Sequence, residues 1–225
     1  MSSLRAIVLA DGEAPTRAGL DATWPGWDDA IELVVAADGG ARLAEPLGLR
    51  IDRWVGDGDS VDPALLARLE RDGVAVRRVP TEKDESDTEL ALLEALGAGA
   101  TDVTILGALG GPRVDHGLAN LALLAHPALR GHAARLLDAA TRIRLVEGPG
   151  RCAATGRVGD IVSLLPMDAG VDGVTTSGLR YPLGGESLEL GRPRGLSNVR
   201  TAETATVAVR TGRLLIVESP ATVRP

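Results

Sequence analysis

The sequence predicts an α/β N-terminal domain with a mostly parallel, Rossmann-like sheet, followed by an all-β C-terminal domain that forms a sandwich or barrel. Two observations carry this prediction. In the first part, short β-branched apolar runs alternate with segments whose apolar residues recur at helical spacing. After about residue 140, strand-like runs follow one another, broken by Gly, Pro, Asp and Asn. We therefore expect an α/β domain at 1–140 and a β-sandwich domain at 141–225.

The first part supplies the elements of a parallel sheet. Strands are predicted at 4–10, 31–38, 52–57, 74–80 and 101–108, with a further strand within 132–139. Helices are predicted at 40–48, 62–73, 86–100 and 118–129. Because the connections between strands contain helices, neighbouring strands are expected to run parallel, with helices covering both faces of the sheet.

The second part has the pattern of an antiparallel structure. Its apolar runs include "TRIRLVEG", "GDIVSLLPM" and "TATVAVRTGRLLIVES". In the last of these, "VRTGRLLIV" predicts a hairpin about Thr211-Gly212. A small antiparallel sandwich or barrel fits this spacing.

The composition limits the function classes. The 225 residues carry a formal charge of −7, with 44% hydrophobic and 24% charged residues, as expected for a folded soluble protein. No basic patch or tail is visible, which argues against a nucleic-acid or membrane partner. A single cysteine, Cys152, indicates a reducing compartment, and the apolar run near the start is shorter than a signal peptide requires. We expect a cytoplasmic protein.

Four consecutive predicted strands end in aspartate, glycine or both. These ends are "ADGG" (37–40), "GDGDS" (56–60), "PTEKDESD" (80–87) and "GALGGPRVDH" (107–116). In an open parallel sheet, ligands bind outside the carboxyl ends of the strands. The four ends are therefore expected to converge on one crevice.

Asp57 and Asp59 are the first candidates for a metal site. If the extended backbone continues through Gly58, the two side chains point to the same side. Two adjacent carboxylates repel each other unless a cation or protons intervene, and hard oxygen ligands of this kind suit Mg²⁺. The alternative is an Asp-Gly turn in which Ser60 or Asp62 caps the following helix.

The segment "EKDESDTE" combines a structural and a functional signal. Ser86 and Glu89 have the spacing of a capping box for a helix that begins at Asp87. That explanation does not account for Lys83 and Asp84, which add a cation and an acid at the same rim. Lys83 can meet a phosphate as a point charge.

The glycine-rich segment 107–116 is predicted to lead into a helix with Asp115 in its first turn. Glycines allow backbone N–H groups to approach an anion, although the chain has neither a P-loop nor a GxGxxG after its first strand. His116 has a structural and a catalytic interpretation, and Asn120 is expected to have a packing or capping role.

Taken in order, these segments resemble the thiamine pyrophosphokinase family. "GDGDS" stands where the family has GDFDS, "KDESDTELAL" where it has KDxTDxExAL, and "GGPRVDHGLAN" where it has GGRxDHxLxN. "TTSGLRYPL" and "LSN" match later elements of the family. Three departures are visible: Gly58 replaces phenylalanine, Ser86 replaces threonine, and Pro112 lengthens the glycine turn.

The resemblance implies transfer of a pyrophosphoryl group from ATP to the hydroxyethyl oxygen of thiamine, giving thiamine diphosphate and AMP. It implies a site role for residues at each matching segment. Mg²⁺ would be held by Asp57, Asp59 and Asp87. Asp38, Gly39 and Gly40 would line the nucleotide or substrate crevice. Phosphates would be contacted by Lys83, Ser86 and Arg113, with Asp84 and His116 beside these residues. Asp115 would lie near the nucleotide or the attacking hydroxyl. Ser197 and Asn198 would hydrogen-bond thiamine, with Tyr181 stacked on its ring.

The resemblance also implies a homodimer in which the substrate lies between the α/β domain of one chain and the β domain of the other. Three alternatives remain: a pyrophosphokinase for another heterocyclic alcohol such as a pterin, a non-catalytic nucleotide- or thiamine-sensing module, and an aspartyl-phosphate phosphatase with Asp57 as nucleophile. The phosphatase scheme also needs a later lysine and a second acidic pair on separate strand ends. The only lysine, Lys83, lies about one strand from Asp57, so the fit to this scheme is poor.

Overall fold

The structure is a computed structural model that describes residues 3–223. The chain divides into two compact units, Met1–Ala139 and Ala140–Pro225. The first unit combines helices with a parallel sheet, and the second is built from antiparallel strands. The predicted fold class is confirmed.

The first unit contains six parallel strands in the spatial order β6-β5-β1-β2-β3-β4. The strands are β1 Leu4–Leu9, β2 Leu33–Ala37, β3 Arg53–Gly56, β4 Ala75–Arg78, β5 Ala100–Leu106 and β6 Ala133–Leu137. From β1 the chain builds outward through β2, β3 and β4, and then returns to the other side of β1 with β5 and β6. The order therefore reverses beside β1, the position at which open α/β sheets form ligand crevices.

Five α-helices connect these strands. They are α1 Arg17–Thr23, α2 Ala44–Leu47, α3 Pro63–Arg71, α4 Asp87–Gly97 and α5 Val114–Leu123. A 3₁₀ helix, Asp38–Leu43, precedes α2, and another spans Pro127–Leu129. The helical pattern at 118–129 belongs to a helix that begins at Val114, with Asp115 in its first turn as predicted, and the chain leaves the α-helix before Pro127.

The sheet of the first unit is apolar along whole strands rather than at alternate positions. Every residue of β2 is buried, as are the last four of β1. Such continuous runs arise when helices cover both faces of a parallel sheet. Helix α4 packs on β1, β2, β3 and β5, and its Leu92 is completely buried. The carboxyl ends of the central strands are thereby held in fixed relative positions.

One buried polar side chain in this sheet lacks a partner. Thr104 of β5 is 1% exposed, and its Oγ1 has no hydrogen-bond partner among residues 3–223. A buried hydroxyl without a partner destabilises a fold by roughly 1–3 kcal/mol. We expect Thr104→Val to raise the free energy of unfolding by about 1 kcal/mol, measured by urea denaturation. The control Val103→Thr adds a hydroxyl to a completely buried neighbour and should lower it. A loss of stability in Thr104→Val would contradict this reading.

The second unit contains two antiparallel sheets with the orders β12-β9-β14-β7 and β11-β10-β13-β8. The strands are β7 Arg142–Glu147, β8 Gly150–Thr155, β9 Ile161–Pro166, β10 Gly170–Ser177, β11 Gly184–Glu189, β12 Asn198–Val199, β13 Thr204–Val209 and β14 Arg213–Ser219. A 3₁₀ turn, Ala221–Val223, follows. Inward residues of both sheets, among them Val162, Val174, Val207 and Ile216, form one core.

The hairpin predicted about Thr211-Gly212 is wrong. Strand β13 pairs with β8 and β10, whereas β14 pairs with β7 and β9, so the chain changes sheets at this turn. Gly212 has φ +88°, as a tight turn requires, and a Cβ at this position would lie 2.9 Å from the Gly170 carbonyl oxygen and 3.2 Å from Val171 Cα. Turn chemistry was therefore recognised correctly, but the pairing of the flanking strands was not.

Among the described residues, no helix has the length and apolar character needed to cross a membrane.

Candidate active site

A cavity of about 670 Å³ lies in the first unit, where the ends of β1, β2 and β5 meet the N-termini of α4 and α5. Its lining includes eight of the residues singled out from the sequence: Asp38, Gly39, Lys83, Ser86, Asp87, Arg113, Asp115 and His116. Gly40, Asp57, Asp59 and Asp84 are not among the lining residues. The four strand ends that were predicted to converge therefore contribute side chains to one crevice or to its border.

Three aspartates gather at the ends of β2 and β3. Asp38, Asp57 and Asp59 each offer a carboxylate oxygen, and these oxygens lie within 4.8 Å of one another. Asp38 is 3% exposed and accepts hydrogen bonds from the N–H groups of Gly58 at 3.1 Å and Ser60 at 3.0 Å. Asp38 therefore holds the loop that carries the other two acids.

A turn, rather than strand alternation, brings Asp57 and Asp59 together. Strand β3 ends at Gly56, and Gly58 has φ +84°, so the extended geometry assumed from the sequence does not persist. Instead, Asp57 Oδ1 accepts a hydrogen bond from the Asp59 N–H at 3.1 Å. The structural alternative holds at the same time, because Asp62 caps α3 by accepting from the Ala64 N–H at 3.0 Å. The loop is both a turn and a cluster of acids.

The role of Asp38 in this cluster was missed by the sequence analysis, which placed it only in the crevice lining. Burial, followed by the nearby carboxylates, raises the pKa of Asp38 against the opposing hydrogen bond from Ser60. Its backbone has φ +41°, and the indole Nε1 of the buried Trp54 donates to its carbonyl oxygen at 3.0 Å. Asp38 lies at the end of the strand next to β3, and this position could have indicated that it joins the acid cluster. The order of the strands, which the sequence does not show, is needed for that inference.

Lys83 bridges the acid cluster and Asp87. Its Nζ lies 3.1 Å from Asp57 Oδ2 and 3.1 Å from Asp87 Oδ1, and its side chain is 13% exposed. Burial alone would lower the pKa of Lys83, but the two carboxylates outweigh it and raise that pKa. Asp87 is thus not in the group of three; it faces Asp57 across the ammonium. The family resemblance implies Asp57, Asp59 and Asp87 as one ligand set, whereas the third acid beside Asp57 and Asp59 in the structure is Asp38.

The two carboxyls beside Lys83 differ in their electrostatics. Burial is the largest influence on Asp57, but the Asp59 N–H and Lys83 outweigh it and lower the pKa of Asp57. For Asp87, burial prevails over Lys83 and raises its pKa. Ser86 caps α4 as predicted, since its Oγ accepts from the Glu89 N–H at 3.2 Å. The Glu89 carboxylate instead lies 3.4 Å from His126 Nε2.

The glycine-rich turn after β5 places Arg113 and Asp115 at the cavity. Arg113 donates twice to Asp115, at 2.9 and 2.6 Å, and both side chains are largely exposed. Arg113 lowers the pKa of Asp115 to about 2. Asn120 is buried and donates to the Ala108 carbonyl at 2.9 Å, which holds the turn and confirms a packing role. Arg113 is therefore paired with a neighbouring acid rather than free to meet an anion.

The glycines of "ADGG" lie in closely packed positions, and the packing against backbone requires glycine at position 40. A Cβ on Gly40 would lie 2.2 Å from the carbonyl oxygen of Leu9, so Gly40 lies directly against β1. A Cβ on Gly39 would lie 2.5 Å from Asp11 Oδ2. Asp11, held by Arg42 at 2.8 Å, lines the cavity and was not singled out from the sequence. The position of Asp11 directly after β1 could have indicated that it lies at the carboxyl ends of the strands, beside the cavity.

Gly58, where the family pattern has phenylalanine, lies in a backbone conformation that favours glycine. With φ +84°, the backbone of Gly58 is in a region that a phenylalanine would adopt only under strain. The space that a Cβ would point toward is bordered by Arg78 Nη1 at 3.5 Å and by Leu66 Cδ2 at 3.9 Å. Arg78 in turn contacts Glu70 at 3.0 Å.

In the second unit, Tyr181, Ser197 and Asn198 lie close together. Tyr181 is 63% exposed, and the Arg180 guanidinium lies 5.7 Å from its ring centroid. Asn198 Nδ2 donates to the Tyr181 carbonyl at 2.7 Å, and its Oδ1 accepts from the Tyr181 N–H at 3.0 Å. The N–H of Ser197 donates to Ser163 Oγ at 3.0 Å. The Asn198 amide thus holds the Tyr181 backbone, a structural task that the sequence analysis did not foresee.

Comparison with known proteins gives matches to both units. A family model described as the catalytic domain of thiamin pyrophosphokinase matches residues 26–135. A second model, the vitamin B1 binding domain of thiamin pyrophosphokinase, matches residues 151–216. Together the two models cover most of the chain.

Individual relatives agree with these models. The thiamine pyrophosphokinase of Bacillus subtilis (strain 168) is 27% identical over 194 residues, which cover 86% of this chain and 90% of the relative. The crystal structure of thiamine pyrophosphokinase from Bacillus subtilis has a TM-score of 0.80 at 25% identity, covering 96% and 99% of the two chains. A thiamin pyrophosphokinase family protein from Enterococcus faecalis has a TM-score of 0.78 at 26% identity, covering 97% and 99%. The chain belongs to the thiamine pyrophosphokinase family.

Proposed function

We propose that this protein transfers the pyrophosphoryl group of ATP to the hydroxyethyl oxygen of thiamine, giving thiamine diphosphate and AMP. A bond forms between that oxygen and the β-phosphorus, the bond from the β-phosphorus to the α,β-bridging oxygen breaks, and the bridging oxygen leaves with AMP. The hydroxyl proton is lost to a base. The observation that carries the proposal is the cluster of Asp38, Asp57 and Asp59 beside Lys83, in a chain whose family performs this type of transfer.

The acid cluster fits a divalent cation. Its donors are carboxylate oxygens, the ligands that Mg²⁺ prefers, and three of them converge within 4.8 Å. We propose that Asp57 and Asp59 hold Mg²⁺ and that Asp38 supplies a third carboxylate. Asp87 stays a predicted ligand, and its Oδ1 is in contact with Lys83. Bound Mg²⁺ would neutralise phosphate charge and charge that develops during transfer.

The chain's own cations have complementary tasks. Lys83 is placed to move its ammonium from Asp57 and Asp87 to a phosphate oxygen once other positive charge enters the cluster. Arg113 can exchange its bidentate contact with Asp115 for an equally bidentate contact with phosphate. The N-termini of α4 and α5 border the same cavity and favour anions. These groups position the triphosphate.

The thiamine surface in this proposal is formed by Tyr181 in the second unit. An exposed aromatic ring offers its face to a cationic heterocycle such as a thiazolium. Ser197 keeps its predicted contact with thiamine, whereas the contribution of Asn198 is now to hold Tyr181 in place. The homodimer and the cytoplasmic location also stay predictions.

One argument against the phosphatase alternative is wrong. The sequence placed Lys83 too far from Asp57 for an aspartyl-phosphate mechanism, but its Nζ lies 3.1 Å from the Asp57 carboxylate. Family membership, rather than the position of the lysine, disfavours that alternative. The two mechanisms give different products, which makes them separable by experiment.

Product analysis tests the proposed function. The protein, incubated with ATP, Mg²⁺ and thiamine, is expected to form AMP and thiamine diphosphate in equal amounts, measured by ion-exchange chromatography. Omission of thiamine should stop AMP formation, and replacement by a pterin alcohol should not restore it. ADP or inorganic phosphate as the sole nucleotide-derived product would rule out this function.

A further inference from the structure

A buried ionic cluster in the second unit has no part in the chemistry described above. Glu218 of β14 is 2% exposed and is contacted by three guanidinium groups. Arg142 reaches it at 2.8 Å, Arg144 at 2.5 Å and Arg200 at 2.7 Å. Arg142 and Arg144 belong to the adjacent strand β7 and remain partly exposed, whereas Arg200 follows β12 and is 1% exposed. Arg200 is thus the deepest member and comes from a different segment.

Arg200 is connected to Tyr181 by a short ladder of contacts between segments 178–181 and 198–201, which we call the clamp. The Thr201 N–H donates to the Gly178 carbonyl at 2.9 Å, and Leu179 forms a β-bridge with Arg200. The Arg180 N–H donates to the Val199 carbonyl at 2.9 Å. The two bonds between Asn198 and the Tyr181 backbone close the ladder at its exposed end.

The Arg200 side chain anchors the other end of the clamp. Strand β12 has only two residues, and beyond it the Arg200 backbone makes two further hydrogen bonds, from its N–H to the Asp160 carbonyl at 2.8 Å and from the Gly159 N–H to its carbonyl at 2.9 Å. The Arg200 guanidinium donates to the Ala154 carbonyl of β8 at 2.5 Å and to Glu218 of β14 at 2.7 Å. These two strands belong to different sheets of the second unit. One buried side chain therefore ties the clamp to both sheets.

We propose that the buried Arg200–Glu218 pair positions Tyr181 for substrate, through the clamp, and is more than a general brace of the sandwich. The assignment rests on the proposed function, in which Tyr181 contacts thiamine. The Tyr181 side chain is largely exposed and is not held by burial in a core. The position of its ring therefore depends on the backbone that carries it. Arg200 and Asn198 fix that backbone from the two ends of the ladder.

Arg200→Met and Arg144→Met form a matched pair that tests the proposal. Each variant removes one guanidinium from Glu218 and leaves two, so neither leaves a buried carboxylate unpaired. Arg144 contacts Glu218 and the Ala153 carbonyl, outside the clamp, whereas Arg200 lies within it. Because Tyr181 is the single tyrosine of the chain, 3-fluorotyrosine labelling gives one ¹⁹F resonance that reports on the clamp in either variant.

We expect Arg200→Met to shift or split the ¹⁹F resonance and to raise the KM for thiamine by roughly tenfold or more, with the KM for ATP unchanged. Arg144→Met should keep the wild-type resonance and both KM values. An unchanged resonance and thiamine KM in Arg200→Met, or equal changes in both variants, would overturn the proposal. The resonance is independent of turnover, and failure of the proposed function would instead appear as absence of AMP formation in the wild-type protein.

Discussion

Asp57→Asn and Asp59→Asn are each expected to lower kcat for AMP formation by roughly a thousandfold or more while the protein stays folded. Each change removes a negative oxygen from the cluster in which three carboxylates converge within 4.8 Å. An amide binds Mg²⁺ far less well than a carboxylate does. The measurement is the steady-state rate of AMP release at saturating ATP and thiamine.

Asp62→Asn is the matched control for these variants. Asp62 lies in the same loop, but its carboxylate caps α3, a task that asparagine performs equally well. Its kcat should stay at the wild-type value. If Asp57→Asn or Asp59→Asn keeps a kcat within threefold of wild type, the proposed metal ligands are wrong.

The structure also changes the expected effect of Asp57→Asn on stability. From the sequence, removal of one of two repelling carboxylates is expected to be neutral or stabilising. The Asp57 carboxylate, however, is stabilised by the Asp59 N–H and by Lys83, so its pKa is lowered in the folded state despite burial. Such a group stabilises the fold above its unfolded pKa, and that contribution is lost as pH falls through the folded pKa. We now expect Asp57→Asn to be slightly destabilising at neutral pH.

Glu218→Gln is expected to lower the free energy of unfolding by about 3–5 kcal/mol. The change leaves the Arg142, Arg144 and Arg200 guanidinium groups around a neutral amide, with Arg200 completely buried. A buried lysine can lose its proton and become neutral, but an arginine keeps its charge near neutral pH. Urea unfolding at pH 7 measures the effect, with Glu189→Gln at a largely exposed contact to Arg192 as the control. That control should change stability by less than about 1 kcal/mol.

The Glu218 carboxyl also makes the free energy of unfolding depend on pH. Burial would raise the pKa of Glu218, but Arg142 and Arg144 outweigh it and lower that pKa below the ordinary value of 4.5. Its stabilising contribution is therefore complete above that value and is lost as pH falls through the lower folded pKa. The stability difference between wild type and Glu218→Gln should shrink on the acid side. A difference below 1 kcal/mol at pH 7 would contradict the role given to the cluster.

The parts of the fold that could be predicted are those set by local sequence. Helical segments between short apolar strands predicted a parallel sheet covered on both faces, Ser86 marked the start of α4, and Asp62 was one of two candidates for the cap of α3. The Thr211-Gly212 turn shows the limit. A turn dipeptide between two apolar runs does not determine whether the strands pair with each other or with strands distant in sequence, as β13 and β14 do.

The candidate site was predictable in its residue types but not in its pairings. The sequence identified acids at the strand ends, yet only the order of β2 beside β3 brings Asp38 onto the Asp57 loop. The intervening Lys83 separates Asp87 from that group, and no spacing rule shows where a lysine ammonium will lie. The resemblance predicted that Asn198 contacts the substrate. In the structure, its side-chain amide instead forms hydrogen bonds to the Tyr181 backbone, and a matching motif does not show such internal contacts.

The most direct measurement is the position of a Mn²⁺ ion, located by anomalous diffraction in crystals grown with a non-hydrolysable ATP analogue. We expect one ion bound to carboxylate oxygens of Asp57 and Asp59 and to a phosphate oxygen. Mn²⁺ bound elsewhere, or phosphates ordered in the cavity with no ion at these two aspartates, would contradict the claim that this cluster holds a divalent cation against the triphosphate.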